Sequence, residues 1–88
     1  TTLFRSVINT SPNGGMSKPG MGDVLTGLIG GIASYPKMKI NDAAIIATYI
    51  HSNAGKLSRD YKGSTSMTAS DVISFIPQVF KSIETWFF

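Results

Sequence analysis

With no cysteine among its 88 residues, the chain can build neither a disulfide framework nor a thiolate metal site. Its single histidine, His51, likewise leaves no basis for a histidine-rich metal centre. Charge is scarce too, at 15% of residues against a typical value of about 25%. So few charges on so short a chain imply that some apolar surface is covered by something outside it, either the remainder of the same polypeptide or another subunit of a homo-oligomer. No stretch reaches the roughly 18 apolar residues of a membrane span. The longest apolar region, 24–33, is interrupted by Thr26, Gly27, Gly30 and Gly31. No secretory signal opens the sequence, and the expected setting is the cytoplasm, away from membranes. The formal net charge of +3 raises nucleic acid as a partner, but Arg5, Lys18, Lys37, Lys39, Lys56, Arg59, Lys62 and Lys81 are scattered rather than gathered on one stretch. That spacing argues against a nucleic-acid surface.

Glycine, by contrast, is concentrated in one place. Gly14, Gly15, Gly20 and Gly22 fall within ten residues and lead into an apolar helix whose first turn carries Asp23. Such a loop lets backbone come close to a ligand, and the helix behind it aims free amides and the positive end of its dipole at an anion. The spacing is not that of the Gly-x-x-x-x-Gly-Lys-Ser/Thr phosphate loop, because Lys18 precedes the last glycines and no Lys-Ser/Thr pair follows Gly22. Read from the glycines alone, the loop is equally an anion seat or a tight connection between two elements.

The run Asn13-Gly14-Gly15-Met16-Ser17-Lys18-Pro19-Gly20-Met21-Gly22-Asp23-Val24-Leu25-Thr26-Gly27 closely resembles the signature of the ADP- or ATP-dependent NAD(P)H-hydrate dehydratases, Asn-Pro-Gly-Met-Ala-Thr-Gly-Gly-Thr-Gly-Asp-Val-Leu-Thr-Gly. Later segments resemble the same family in the same order: Ala43-Ala44, Tyr49-Ile50-His51, Ala54-Gly55, Met67-Thr68-Ala69-Ser70-Asp71-Val72-Ile73 and Ile76-Pro77. The resemblance implies an α/β fold, the C-terminal part of a ribokinase-like three-layer α/β/α domain, with one or two strands followed by three to four helices. Residues 1–88 would form the C-terminal segment of that one nucleotide-binding domain. The family's members are several times longer, so the residues that hold the nicotinamide side of the substrate would lie upstream, and this piece alone would be inactive.

The residues predict the elements with some detail. Leu3, Phe4, Val7 and Ile8 make 3–8 a short strand, stopped by a polar and glycine-rich run after it. A first helix opens at Gly22 or Asp23 and closes at Ala33 or Ser34, before Pro36. Gly27, Gly30 and Gly31 within it are poor helix formers and predict a second backbone packed closely against them. A second helix has Asn41 as N-cap and buries Ala43, Ile46, Ala47, Ile50, Ala54 and Leu57, running to about Asp60. Thr68 caps a short third helix, with Asp71 three residues on able to reach back to the cap. Pro77 ends that helix, kinks it or opens a final one over 78–88.

Function follows from the loop and the resemblance together. Asp23, a carboxylate held as the anion by the helix end, is the candidate catalytic residue. In ribokinase-like kinases the matching aspartate takes the proton of the acceptor hydroxyl while loop amides stabilise the transferring phosphoryl group. The resemblance implies the same apparatus working on hydrated NADH or NADPH, the small-molecule substrate, with ADP or ATP and Mg²⁺. By position it assigns Asn13, Gly14, Gly15, Met16, Ser17, Lys18, Gly20, Met21 and Gly22 to the nucleotide. Two departures stand out: Pro19 takes the place of a glycine and offers no amide, and Lys18 takes the place of a threonine and brings a charge able to reach a phosphate. Two other functions remain open, a small-molecule kinase of the same fold acting on a sugar or vitamin precursor, and a module that binds adenine nucleotide without catalysis. His51 reads as a packed helix histidine, Asp71 as a cap, Lys56, Arg59 and Lys62 as a solvated helix face, and Trp86, Phe87 and Phe88 as core or subunit contact.

Overall fold

The computed structural model describes residues 14–87. One turn of 3-10 helix, Gly14–Ser17, leads into α1 (Met21–Ala33), α2 (Ile40–Lys62) and α3 (Ala69–Phe87). Every regular element among the described residues is a helix, which corrects the α/β class expected above. The reason lies in the sequence itself: the one β-forming run, 3–8, lies outside the described residues, and the apolar residues from Met21 onward recur at helical spacing.

α2 is the middle helix, packed on α1 along one side and on α3 along another, while α1 and α3 meet over a short distance only. Its buried positions Ala43, Ile46, Ala47, Ile50 and Ala54 recur every three or four residues, which gathers them on one side of a helix. Three of the five are alanines, so neighbouring helices can come in close. Ile32 of α1 and Val72, Val79 and Ile83 of α3 complete the core with Met21 and Met67. Thr48 and Ser58, buried on the same helix, satisfy their hydroxyls on the carbonyls of Ala44 (2.7 Å) and Ala54 (2.9 Å).

Three local expectations change. α2 starts two residues early, with Lys39 at the cap position in place of Asn41 and no side-chain cap bond, so Asn41 lies inside the first turn. Pro77 neither ends nor opens a helix, because α3 runs through it. Removing one backbone bond is tolerated there because Val72, Val79 and Ile83 on either side of the proline are all held in the core. Gly27, Gly30 and Gly31 have open space where a side chain would stand, so no second backbone packs on them among the described residues. The capping box does form: Asp71 Oδ2 accepts from the Thr68 N–H at 2.9 Å, and the Asp71 N–H donates to Thr68 Oγ1 at 3.3 Å. Lys62 adds an ion pair to Asp71 at 3.2 Å, which ties the end of α2 to the start of α3. The Thr68 N–H, then the Thr68 hydroxyl and Lys62, hold the Asp71 carboxyl below its usual range.

Candidate functional site

The glycine loop is pinned from two sides, and the pins are residues far away in sequence. From α2, the Met16 side chain lies over Gly55 so closely that a Cβ there would overlap its sulfur, with Cε at 2.9 Å. From the connection before α3, Met67 occupies the space beside Gly15, and the Ser64 carbonyl stands 3.0 Å from where a Gly15 Cβ would be. Gly20, with φ at 89°, takes the left-handed conformation that turns the chain into α1, and its missing Cβ leaves room for Ala69 at 3.1 Å. The glycines of this loop thus serve packing as well as any approach of a ligand. Sequence reasoning missed Gly55, Met67 and Ala69 as supports; the signal was present in the paired placement of methionine and glycine, at 16 with 55 and at 67 with 15.

The start of α1 differs from that of α3. Where the capping box fills the latter, Gly20 gives α1 no side-chain cap bond. The Met21 N–H donates to the Lys18 carbonyl at 3.3 Å and the Val24 N–H to the Gly20 carbonyl at 3.1 Å. Between them, the amides of Gly22 and Asp23 find no partner among the described residues. Two unpartnered N–H groups on exposed residues at the positive end of a 13-residue helix are groups that suit an anion, and their place is a candidate seat for one. Asp23 stands at that seat with its side chain in solvent. Beside it an open groove of about 420 Å³ runs between α1 and α3, lined by Asp23, Val24, Gly27, Leu28, Ile73 and Ile76. Apart from one carboxylate the groove is apolar, a surface suited to the flat face of a ring. Ile73 and Ile76 carried no role in the sequence reading, since only the tertiary fold brings them next to Asp23.

Of the other nucleotide-loop candidates, Asn13 lies outside the described residues. Gly14, Met16 and Ser17 shape the 3-10 turn, where Ser17 Oγ donates to the Gly14 carbonyl at 2.9 Å. Lys18 reaches to the segment before α3. Its Nζ donates to the carbonyls of Thr65 and, at 2.8 Å, Met67.

His51 is buried in α2, and its ring hydrogen-bonds the backbone of Met21, the first residue of α1. Burial lowers its pKa from the ordinary 6.5, and the bond to Met21 offsets only part of that. Nε2 is left buried without a partner among the described residues. The neutral ring therefore belongs to the folded state, and the unfolded chain binds more protons just below pH 6.5. Stability from this source is complete above about pH 6.5 and is lost as pH falls through the lower folded pKa. Urea unfolding of the chain from about pH 8 to 5 should show that decline, and His51→Gln should flatten it. A slope unchanged by the substitution would place its origin elsewhere; the Asp71 effect belongs below the ordinary carboxyl range, in a separate window.

Among the described residues no three histidine or acidic side chains gather as a metal site, and no helix is long and apolar enough to cross a membrane. Comparison with known proteins bears on the loop directly. A family model described as NAD(P)H-hydrate dehydratase matches residues 5–78. The bifunctional NAD(P)H-hydrate repair enzyme Nnr of Moorella thermoacetica is 39% identical over 77 residues, 88% of this chain and 14% of the enzyme. The enzyme of the same name from Dictyoglomus turgidum is 36% identical over 62 residues, 70% of this chain and 12% of its own length. A bifunctional NAD(P)H-hydrate repair enzyme of Leishmania major is 30% identical over 77 residues, 85% of this chain and 14% of the enzyme. The chain therefore spans about one seventh of the curated relatives it matches. No solved structure matches it significantly.

Proposed function

The chain belongs to the NAD(P)H-hydrate dehydratase family, and on that footing we propose that the polypeptide carrying it dehydrates hydrated NADH or NADPH with ADP or ATP, as a cytoplasmic lyase. The observation that carries the reading is the uncapped start of α1 with Asp23 at its edge. In this reading residues 14–22 form the nucleotide loop, and the amides of Gly22 and Asp23 take phosphate oxygens. Two oriented N–H groups suit an anion that spreads its charge over several oxygens. Bound nucleotide would supply the phosphoryl group that lets the ring hydroxyl leave as phosphate, the C–O bond breaking as the neighbouring ring carbon gives up a proton to water and the ring double bond is restored. Asp23 accepts the proton of that hydroxyl, and the apolar wall of Val24, Leu28, Ile73 and Ile76 offers one face to the ring, the rest of the nicotinamide side belonging to the upstream residues. Magnesium would enter on the nucleotide's phosphates, as this ion commonly does.

The chain is then the C-terminal part of the enzyme's nucleotide-binding domain, incomplete without its upstream residues. The exposure of Trp86 (70%) and Ile40 (63%) supports a covering by the rest of the polypeptide or by a second copy. The test is to give the whole polypeptide hydrated NADH with ADP or ATP and follow the absorbance of the reduced nicotinamide. Nucleotide-dependent recovery is expected. No recovery, with phosphate transferred to an alcohol instead, would make the protein a kinase.

A further inference from the structure

We propose that Lys18 is a positioning residue, a strut that fastens the glycine loop to the chain entering α3, and not a ligand of the phosphate. This rests on the anion seat just described. The ammonium spends two of its three N–H groups on the carbonyls of Thr65 and Met67, 47 and 49 residues away in sequence. No carboxylate shares it among the described residues. Charge-assisted bonds to two carbonyls are among the stronger interactions a lysine makes, and they hold it at the seam.

The seam is continuous. Gly15 closes on Met67 and the Ser64 carbonyl, Lys18 reaches Thr65 and Met67, and Gly20 abuts Ala69, so three successive points of the loop meet four of the segment before and into α3. Lys18 is the middle fastening, made by hydrogen bonds from its side chain. Its backbone works at the same place, since the Lys18 carbonyl accepts the Met21 N–H that begins α1. Only Pro19, with its fixed φ, stands between Lys18 and the left-handed Gly20. There is little slack in which a movement of Lys18 could be absorbed before it reaches the amides of Gly22 and Asp23. With Lys18 fastened by its side chain at one end of this short span and Gly20 seated against Ala69 at the other, the direction of the α1 amides is set. An ammonium that swung away from the seam to a phosphate would give up both carbonyls and loosen the seat it was serving.

Two variants of the whole polypeptide separate the roles. Lys18→Met keeps the stem and removes the donors; Lys18→Gln restores two N–H groups without charge. For a strut, Lys18→Met should lower kcat about tenfold, leave the KM for ADP within about twofold, and Lys18→Gln should recover part of the loss. Without nucleotide, amide hydrogen exchange in Lys18→Met should quicken in 14–20 and 63–68 together while 46–50 in the core of α2 stays protected. A KM for ADP raised about tenfold in both variants with kcat unchanged, together with a weakened salt dependence of ADP binding, would make Lys18 a phosphate ligand and overturn the proposal. Unchanged exchange in both segments, or loss of protection in 46–50 as well, would overturn it too. The exchange arm needs no substrate, so it decides on Lys18 even if the dehydratase reading itself fails.

Discussion

Replacing Asp23 by asparagine in the whole polypeptide should lower nucleotide-dependent recovery of NADH by a factor of about 10² to 10⁴, the usual contribution of a positioned proton acceptor. The fold should survive. Asp23 is exposed, and its side chain has neither hydrogen bond nor ion pair among the described residues, so asparagine removes only the charge and the basicity. What the helix loses is a favourable first-turn anion, about 0.3 to 1 kcal/mol, too little to unfold a helix whose Met21 and Ile32 are in the core. The deficit should fall on kcat with ADP affinity retained or slightly raised, because a negative charge at the anion seat has been removed. A loss smaller than about tenfold would take Asp23 out of the proton-transfer role.

The second large effect concerns the loop's support. Gly15→Ala should destabilise the protein by about 1 to 3 kcal/mol, since its Cβ overlaps the Met67 side chain and the Ser64 carbonyl leaves no way around at 3.0 Å. Met67→Ala, at a fully buried position, should remove about 2 to 5 kcal/mol. The two are not independent. Truncating Met67 opens the space that the new methyl group needs, so the double variant should be less destabilised than the sum by about 0.5 to 3 kcal/mol. Urea unfolding of the four proteins measures that difference, and strict additivity would show that Gly15 is not there to admit Met67. Gly55→Ala is milder by the same logic: only the Met16 side chain opposes it, and a flexible methionine can swing aside at a half-buried site.

How much of this was legible in the sequence depends on how local its cause is. The α2 core positions followed from spacing alone, and the Thr68–Asp71 capping box from four adjacent residues. The family was legible because the loop and its two supporting segments each keep a short motif, and residues 5–78 match as a whole. The α/β class came from the resemblance and from the strand assigned to 3–8, which lies outside the described residues, whereas every element from Gly14 onward is a helix. Pro77 was read by a local rule that packing on both sides overrides. Asn41 met the preference for a cap, yet the helix begins earlier because nothing in Met38 or Lys39 resists a start there. Lys18 is the clearest case of information absent from local sequence. Its charge suggested a phosphate, but its partners are backbone carbonyls, and any residue types at 65 and 67 would present the same atoms.

The central claim is that the uncapped start of α1 is where the nucleotide's phosphate sits, and ADP titrated into the whole polypeptide labelled with ¹⁵N tests it most directly. The account predicts that the amides of Gly22 and Asp23 shift most and become protected from exchange, with Gly20 and Met21 next in order. If ADP binds while those four signals stay in place and others move, the seat lies elsewhere and the account is wrong.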